Sequence, residues 1–469
     1  HLESWWQANL YLQGINWTSA LEVAFRALSW LWVYHLAGPA LSGALQARLI
    51  EGLRRHGRFL AHNLSVYFSP NTHLLGEAVV LHAIGTLLPA LPEAAGWRNT
   101  GRRIVLEQMP VQVRPDGGYF EQSAYYHVYA VDMFLFHALL EEPPQEYRDR
   151  LRRMGELLRA LLGPDGRIPL IGDDDGGRFF YPYGRRDEFG RATLATLALY
   201  LGEVLWPVAE TEVQAAWWIG CDRGLGANPA SVATESAALF PDTGLAFLRA
   251  GDWECILDFG PFGPGSGGHS HADTLSLLLR RPGEEVLVDA GTYTYVGNPA
   301  ERNRFRGTAL HNTIRIGGQD QAAPAGPFRW QDPPESRLIV YQPVAEGGRV
   351  AAECRYRGYT HRRTLELDPG CLTVTDEIEG PGSALIEQFW HFGVTLNPES
   401  GSAYRAGSCG IQLDPVLQPE HCEGGEFGWR SQVLGEKQPA PYLRGVKEIA
   451  LPARIVTRFD LSTNHDPVR

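Results

Sequence analysis

The stretch Gly268-His269-Ser270-His271-Ala272-Asp273 is followed by an apolar run and then by Asp289 and His311. Read as a β-strand, it turns side chains two apart to the same face, so His269 and His271 present two imidazoles side by side, with Asp289 available from the next strand. Two histidines, a carboxylate and a distant third histidine form the N/O donor set of a zinc site, and the same groups can move a proton. The spacing alone leaves both uses open. Core packing is a poor use for so many polar groups, since Arg302, Arg304, Arg306 and Asn312 lie in the same region.

Outward from this stretch the texture is that of strands. After about Gly226 the chain runs in alternating, β-branched segments such as Glu284 to Asp289, Thr313 to Ile316, Thr364 to Leu367 and Leu372 to Ile378. Gly/Pro turns separate them with no helical pattern between, which favours an antiparallel β-sandwich over a parallel sheet. Before that point apolar residues recur at helical spacing: Leu21, Ala24, Leu28, Leu31 and Trp32 share one face, and Leu74, Val79, Leu81 and Ile84 another. The reading is a multidomain chain, α then β, with a helical domain over 1–225 and a β domain over 226–469. The Gly/Ala/Ser-rich stretch 224–237 is the expected linker.

The 469 residues exceed what one core usually organises, and 44% hydrophobic with 20% charged residues is ordinary globular composition. No apolar run reaches the roughly 18 residues of a membrane span. The formal net charge of -12 argues against a nucleic-acid partner, which needs a broad basic surface. Lys437 and Lys447 are the only lysines, so nearly all positive charge is arginine, suited to bidentate carboxylate or sulfate contacts and equally a product of codon bias. The six cysteines form no CxxC pair, which excludes a thiolate zinc site and leaves isolated thiols or one or two disulfides. The chain opens at His1 without an initiating Met, which implies that its natural N-terminus is absent.

Three further constellations lie in the helical half. Asn71-Thr72-His73 reads as a helix start, where free N–H groups favour an anion, with Glu77 one turn on; an N-cap and a His73–Glu77 pair would explain it as well. In Glu121 to Tyr129, Tyr125 and Tyr129 share a helix face while Tyr126 projects about 100° away, so one face can pack while another works. Asp173-Asp174-Asp175, set between glycines, suits a cation, a glycosidase acid/base pair or a turn whose side chains cap backbone N–H groups, and the last carries most weight.

Together, the segments Asn71 to Glu77, Asp116-Gly117-Gly118 to Tyr126-His127, Gly172 to Asp175, Gly268 to Asp273 and Asp289-Ala290-Gly291-Thr292-Tyr293 through His311-Asn312-Thr313 resemble the heparinase II/III-like polysaccharide lyases. They follow that family's order from about Trp17 to Ile316, and the remainder resembles the rest of its β domain. The resemblance implies an (α/α) toroid followed by an antiparallel β-sandwich, with the substrate cleft between them. It implies that Tyr126 protonates the leaving oxygen, that His269 is the catalytic histidine of the β domain, and that His73 helps to hold the uronate. Asn71 joins Tyr126, His269 and His73 in the expected catalytic set, Glu77, Arg302 and Arg306 are the expected substrate contacts, and Thr72 stands where the family usually has Asn. His271 and Asp289 match metal ligands of zinc-containing relatives and His311 is the third, giving one divalent ion, zinc, structural rather than catalytic.

The implied activity is β-elimination on a uronic-acid-containing polysaccharide, of heparin or heparan sulfate type, with alginate or a bacterial exopolysaccharide next. The partner is then an acidic polysaccharide, and a periplasmic or secreted location is expected by likeness to relatives. Two alternatives stand beside it: a glycoside hydrolase using the Asp173 to Asp175 loop, and a non-catalytic acidic-glycan-binding protein.

Overall fold

The computed structural model describes residues 2–179, 188–203, 213–220 and 237–462. The helical half contains α1 (Leu2–Ala8), α2 (Ala20–Ala37), α3 (Gly43–His62), α4 (Thr72–Leu87), α5 (Ala94–Gln112), α6 (Ala124–Leu140), α7 (Gln145–Leu162), α8 (Phe189–Leu201) and α9 (Val213–Ile219). Short connections make α2 and α3, α4 and α5, and α6 and α7 antiparallel neighbours, the unit from which the expected toroid is built. No helix among the described residues is long and apolar enough to cross a membrane.

The patterning reading needs one correction. Leu74, Val79, Leu81 and Ile84 mark no single face: α4 is buried from Thr72 to Gly85 except at His73, and α6 from Ala124 to Ala138 throughout. Helices apolar on every side sit in the middle of a structure, not on its surface. Gly85 and Gly101 let the backbones of α4 and α5 touch, since a Cβ on Gly101 would stand 2.4 Å from the carbonyl oxygen of Ala78. The N-termini of the two central helices therefore have fixed positions, and both point toward the β half.

In that half, β1 (Ala237–Phe240), β2 (Leu245–Ala250), β3 (Trp253–Asp258), β4 (Ser276–Arg281) and β5 (Glu284–Leu287) form a five-stranded sheet in chain order. An eight-stranded sheet runs from Leu396–Pro398 at one edge to Glu335–Val344 at the other, and β6 (Ile314–Ile316) closes one edge of a four-stranded sheet. Pairing within these sheets is antiparallel throughout, as the alternating pattern predicts. Leu248 and Leu257 share one core with Val350, Leu365, Val374, Ile386 and Trp390 from the other two sheets. Among the described residues one α-helix, α10 (Pro299–Phe305), interrupts the strands; its cap, Asn298 accepting the N–H groups of Ala300 and Glu301, is the signal the strand reading passed over.

Ala124, Leu157, Leu161 and Ile171 of the helical half pack on Phe240, Leu245, Phe247 and Leu278 of the first sheet. Polar ties flank this joint: the Asp116 carboxylate accepts the Thr243 N–H and Oγ1–H, each at 2.7 Å, and Gln122 Nε2 donates to the Thr243 carbonyl at 2.8 Å. The expected boundary between residues 225 and 226 lies outside the described residues. The five described cysteines are free, so the disulfide alternative does not hold for them.

Beneath the site, Arg363 is wholly buried and forks onto Asp376 at 2.7 and 3.0 Å, while its Nη1 donates to the carbonyl of Leu275 at 2.8 Å. Burial alone would raise the Asp376 pKa, but Arg363 and His361 outweigh it and keep the carboxylate ionised. Arg363→Met should therefore cost about 3–5 kcal/mol in chemical denaturation, because it strands a buried charge. A loss under about 1 kcal/mol would show that Asp376 finds another partner.

Candidate active site

The first turns of α4 and α6 supply one wall of the site. Asn71 caps α4 by accepting the His73 N–H at 3.1 Å, and its Nδ2 donates to Glu121 Oε1 at 2.6 Å. Thr72 Oγ1 donates to the other oxygen of Glu121 and lies 2.9 Å from Tyr119 Oη. Glu121 Oε1 in turn stands 3.7 Å from His269 Nε2, so the Asn71–Thr72 corner reaches the β half through one carboxylate. Ser123 caps α6, accepting the Tyr126 N–H at 3.2 Å and donating to the Asp173 carbonyl.

Tyr126 meets the β half. Its ring stacks on His269 with centroids 4.0 Å apart and planes 26° apart, its hydroxyl donates to Asp175 Oδ2 at 2.9 Å, and Tyr295 Oη lies 3.4 Å away. Tyr129 packs instead against Phe25. Burial first, then Tyr295 and Asp175, push the Tyr126 pKa well above the ordinary 10, which keeps the phenol protonated. Burial lowers the His73 pKa below 6.5 despite the opposing pull of Glu121, leaving that imidazole neutral. For His269, burial is outweighed by Asp173, Glu121 and Asp175, and the net direction is upward.

Asp173 ties the opposite wall together. Its completely buried carboxylate receives both Nη groups of Arg302, at 2.5 and 2.7 Å, and contacts His269 Nδ1 at 3.1 Å and His271 Nε2 at 3.0 Å. Burial would raise its pKa, but Arg302 and the two histidines hold it well below the usual carboxylate range. The two imidazoles thus do lie side by side, though not on a strand: 268–273 is an irregular loop between β3 and β4, and a shared acceptor orients both rings. Asp289 likewise follows β5 in a loop.

His271, Asp289 and His311 converge as expected, with one donor atom from each all within 4.8 Å of one another. His271 uses Nε2 on Asp173 and His311 uses Nδ1 on Asp289 at 2.8 Å, which leaves His271 Nδ1 and His311 Nε2 buried without a partner. Orphaned ring nitrogens beside a carboxylate fit an N/N/O site for a divalent ion, each histidine braced through its other nitrogen.

Three expected substrate contacts, Glu77, Arg302 and Arg306, lie buried and bonded to protein partners. Glu77, 0% exposed, accepts the Ser65 N–H at 2.7 Å and its Oγ–H at 2.6 Å, so it tethers the loop before α4. Arg302, 1% exposed, is spent on Asp173 and the Pro327 carbonyl. Arg306, also buried, donates to the carbonyl of Gly326 at 2.6 Å and lies over Trp330. The two arginines instead hold the 326–330 loop, whose Phe328 ring sits 5.8 Å from His269 and 4.9 Å from Tyr295. Tyr295, Phe328 and the role of Asp173 escaped sequence reasoning; the Tyr293/Tyr295 alternation was the one available hint. Adjacent in sequence to the site, ahead of Asn71 and after Tyr295, Tyr67, Phe68 and Val296 are 97%, 95% and 71% exposed.

Models of the heparinase II/III N-terminus and of the heparinase II/III-like C-terminal region match residues 7–178 and 232–438. The chain belongs to the heparinase II/III-like family. Its relatives include a heparin-sulfate lyase of Bacteroides stercoris, 25% identical over 345 residues that cover 71% of this chain and 47% of that protein. Another, from Pedobacter heparinus, is 24% identical over 377 residues, covering 77% of this chain and 51% of that protein. The chain thus spans about half the length of these relatives. In fold it is similar to a crystal structure of heparinase III, with TM-score 0.78 at 19% identity over 99% of this chain and 73% of that one. A chondroitin AC lyase of Streptomyces coelicolor A3 in complex with chondroitin sulphate gives TM-score 0.60 at 12% identity, over 97% of this chain and 69% of that one.

Two outcomes are expected from this family member. Protein purified without chelator should carry one divalent transition ion per chain by elemental analysis, and His311→Ala should lose it; equal content in both would remove His311 from the ligand set. Burial raises the Glu77 pKa from 4.5 to about 7, so the folded state holds a proton that the unfolded chain has released across that window. Stability contributed by protonated Glu77 is therefore complete below pH 4.5 and lost as pH rises through 7. Glu77→Gln should gain on the wild type by up to about 3 kcal/mol between those limits, and a difference flat with pH would contradict this.

Proposed function

We propose that this chain is a polysaccharide lyase that cleaves a uronic-acid-containing glycosaminoglycan of the heparin or heparan sulfate type by β-elimination. The observation that carries the reading is the Tyr126–His269 stack, where a protonated phenol from the helical half meets an imidazole from the β half. The likeness to heparin-sulfate lyases supports the substrate class.

The residues supply what elimination needs. A uronate C5 proton becomes acidic once its carboxylate is neutralised, so donors must meet that group first. His73, held neutral by burial and coupled electrostatically to Glu121 and His269, can take the C5 proton. The electron pair then forms the C4–C5 double bond as the C4–oxygen bond breaks, and the departing oxygen takes the Tyr126 proton. No water is consumed, and His73 returns its proton to the tyrosinate through solvent. His269 backs the phenol ring, while Asp175 and Tyr295 set its direction. Asn71 and Thr72 reach the site through Glu121, so here they position the wall that faces the sugar.

We assign zinc to the His271–Asp289–His311 group; when bound it would act as a cross-link between three loops, beside the reacting atoms. A hydrolase built on Asp173 to Asp175 finds less support, because Asp173 is wholly buried and neutralised by Arg302. Alginate and bacterial exopolysaccharides remain in the substrate panel.

A spectrophotometric screen on heparin, heparan sulfate, hyaluronan, chondroitin sulfate and alginate tests the reading, since elimination creates a conjugated, ultraviolet-absorbing end. Reducing ends without that absorbance would mean hydrolysis, and binding without cleavage would mean a glycan-binding protein. Tyr126→Phe should lower kcat by about 10²–10⁴-fold with affinity nearly intact. Unchanged turnover would remove Tyr126 from proton transfer.

A further inference from the structure

A second feature lies beside the cleft. Residues 429–439 form a hairpin, Trp429–Val433 paired with Glu436–Pro439, which docks on the segment after Asp289. The Ser431 N–H donates to the Ala290 carbonyl at 2.7 Å, Ser431 Oγ to the Thr292 carbonyl at 2.8 Å, and the Gly435 N–H to the Tyr293 carbonyl at 2.8 Å. Between the hairpin, the 293–298 loop and α10 is an open pocket of about 350 Å³ lined by Tyr293, Thr294, Asn298, Glu301 and Lys437. Thr294 directly precedes Tyr295, whose hydroxyl is 3.4 Å from that of Tyr126, so the pocket follows on from the reacting groups.

Its chemistry is unusual for this chain, in which Lys437 is one of two lysines. The ammonium lies 4.5 Å from the Trp429 ring centroid and 4.8 Å from that of Tyr293, and it pairs with Glu301. Glu301 also pairs with Arg304 at 3.2 Å, so two cations share one carboxylate at the edge of the pocket in a protein of net charge -12. An ammonium has three donors, and one partner leaves the others for a ligand. Asn298 spends its Oδ1 on the helix cap, and its amide nitrogen has no protein partner among the described residues. A pocket of this size holds a single sugar unit, and two cationic or amide donors suit an anionic substituent on it.

We propose that this pocket is a separate glycan subsite, which takes the carboxylate or sulfate of a sugar unit next to the one cleaved, with Lys437 as its donor. The inference rests on the lyase reading for its substrate class.

The test compares wild type, Lys437→Gln, Lys437→Arg and Asn298→Asp. The last keeps the α10 cap, because Asp caps as well as Asn, and adds a negative charge to the pocket. On heparan sulfate, Lys437→Gln and Asn298→Asp should raise KM about fivefold to tenfold with kcat nearly unchanged. Lys437→Arg should restore most of the loss, and the shortest cleavable oligosaccharide should show little effect. The same loss on hyaluronan would identify the carboxylate, and loss on sulfated chains alone the sulfate. Equal KM for all four proteins on every chain length would overturn the subsite. If the wild type shows no elimination on any substrate, the lyase reading fails separately. Calorimetric titration with an acidic octasaccharide then reads the pocket directly, and equal affinity of wild type and Lys437→Gln would overturn it.

Discussion

One buried carboxylate organises this molecule. Asp173 belongs to the helical half by sequence, yet every side chain that neutralises it, His269, His271 and Arg302, comes from the β half. Leaving such a charge unpaired in the interior would cost several kcal/mol, so the two halves are locked in one relative position at this point. The backbone repeats the tie: the Asp173 N–H donates to the His269 carbonyl at 3.0 Å, and Ser123, the cap of α6, donates to the Asp173 carbonyl.

That lock is also what assembles the chemistry. His269 can lie flat on Tyr126 because Asp173 holds its Nδ1. His271, turned to the same acceptor through its Nε2, offers its other nitrogen toward His311 and Asp289. The imidazole stacked on Tyr126 and one of the candidate metal ligands, His271, are therefore neighbours around one anion. Arg302 and Arg306 extend the arrangement outward by pinning the 326–330 loop, which brings Phe328 against His269.

The sequence carried much of this, for reasons that can be stated. Alternation in the second half follows from sheets with one face in a shared core, as Val350 and Leu365 illustrate, and it made the strands legible. Amphipathic spacing was a weaker guide to α4 and α6, because helices buried all round have no polar face to reveal their phase. The pairing of His269 with His271 was legible for the wrong reason, since the rings are aligned by Asp173 and not by a strand. The protein partners of Glu77, Arg302 and Arg306 were not legible, because a charged residue near a motif looks like a contact until its partners are known. Ser65, Asp173 and the Gly326 carbonyl are distant or featureless in sequence. The match of Asp173 to Arg302, 129 residues apart, has no local signature at all.

The segments beside the stacked rings obey a different rule from the setting of the rings themselves. Tyr67 and Phe68, just ahead of the α4 cap, and Val296, next to Tyr295, are 97%, 95% and 71% exposed, and segments with few buried contacts open at least cost. On the proposed function, a fixed pair of rings beside such exposed side chains would meet each linkage in one geometry while the flanking sugars find a yielding surface.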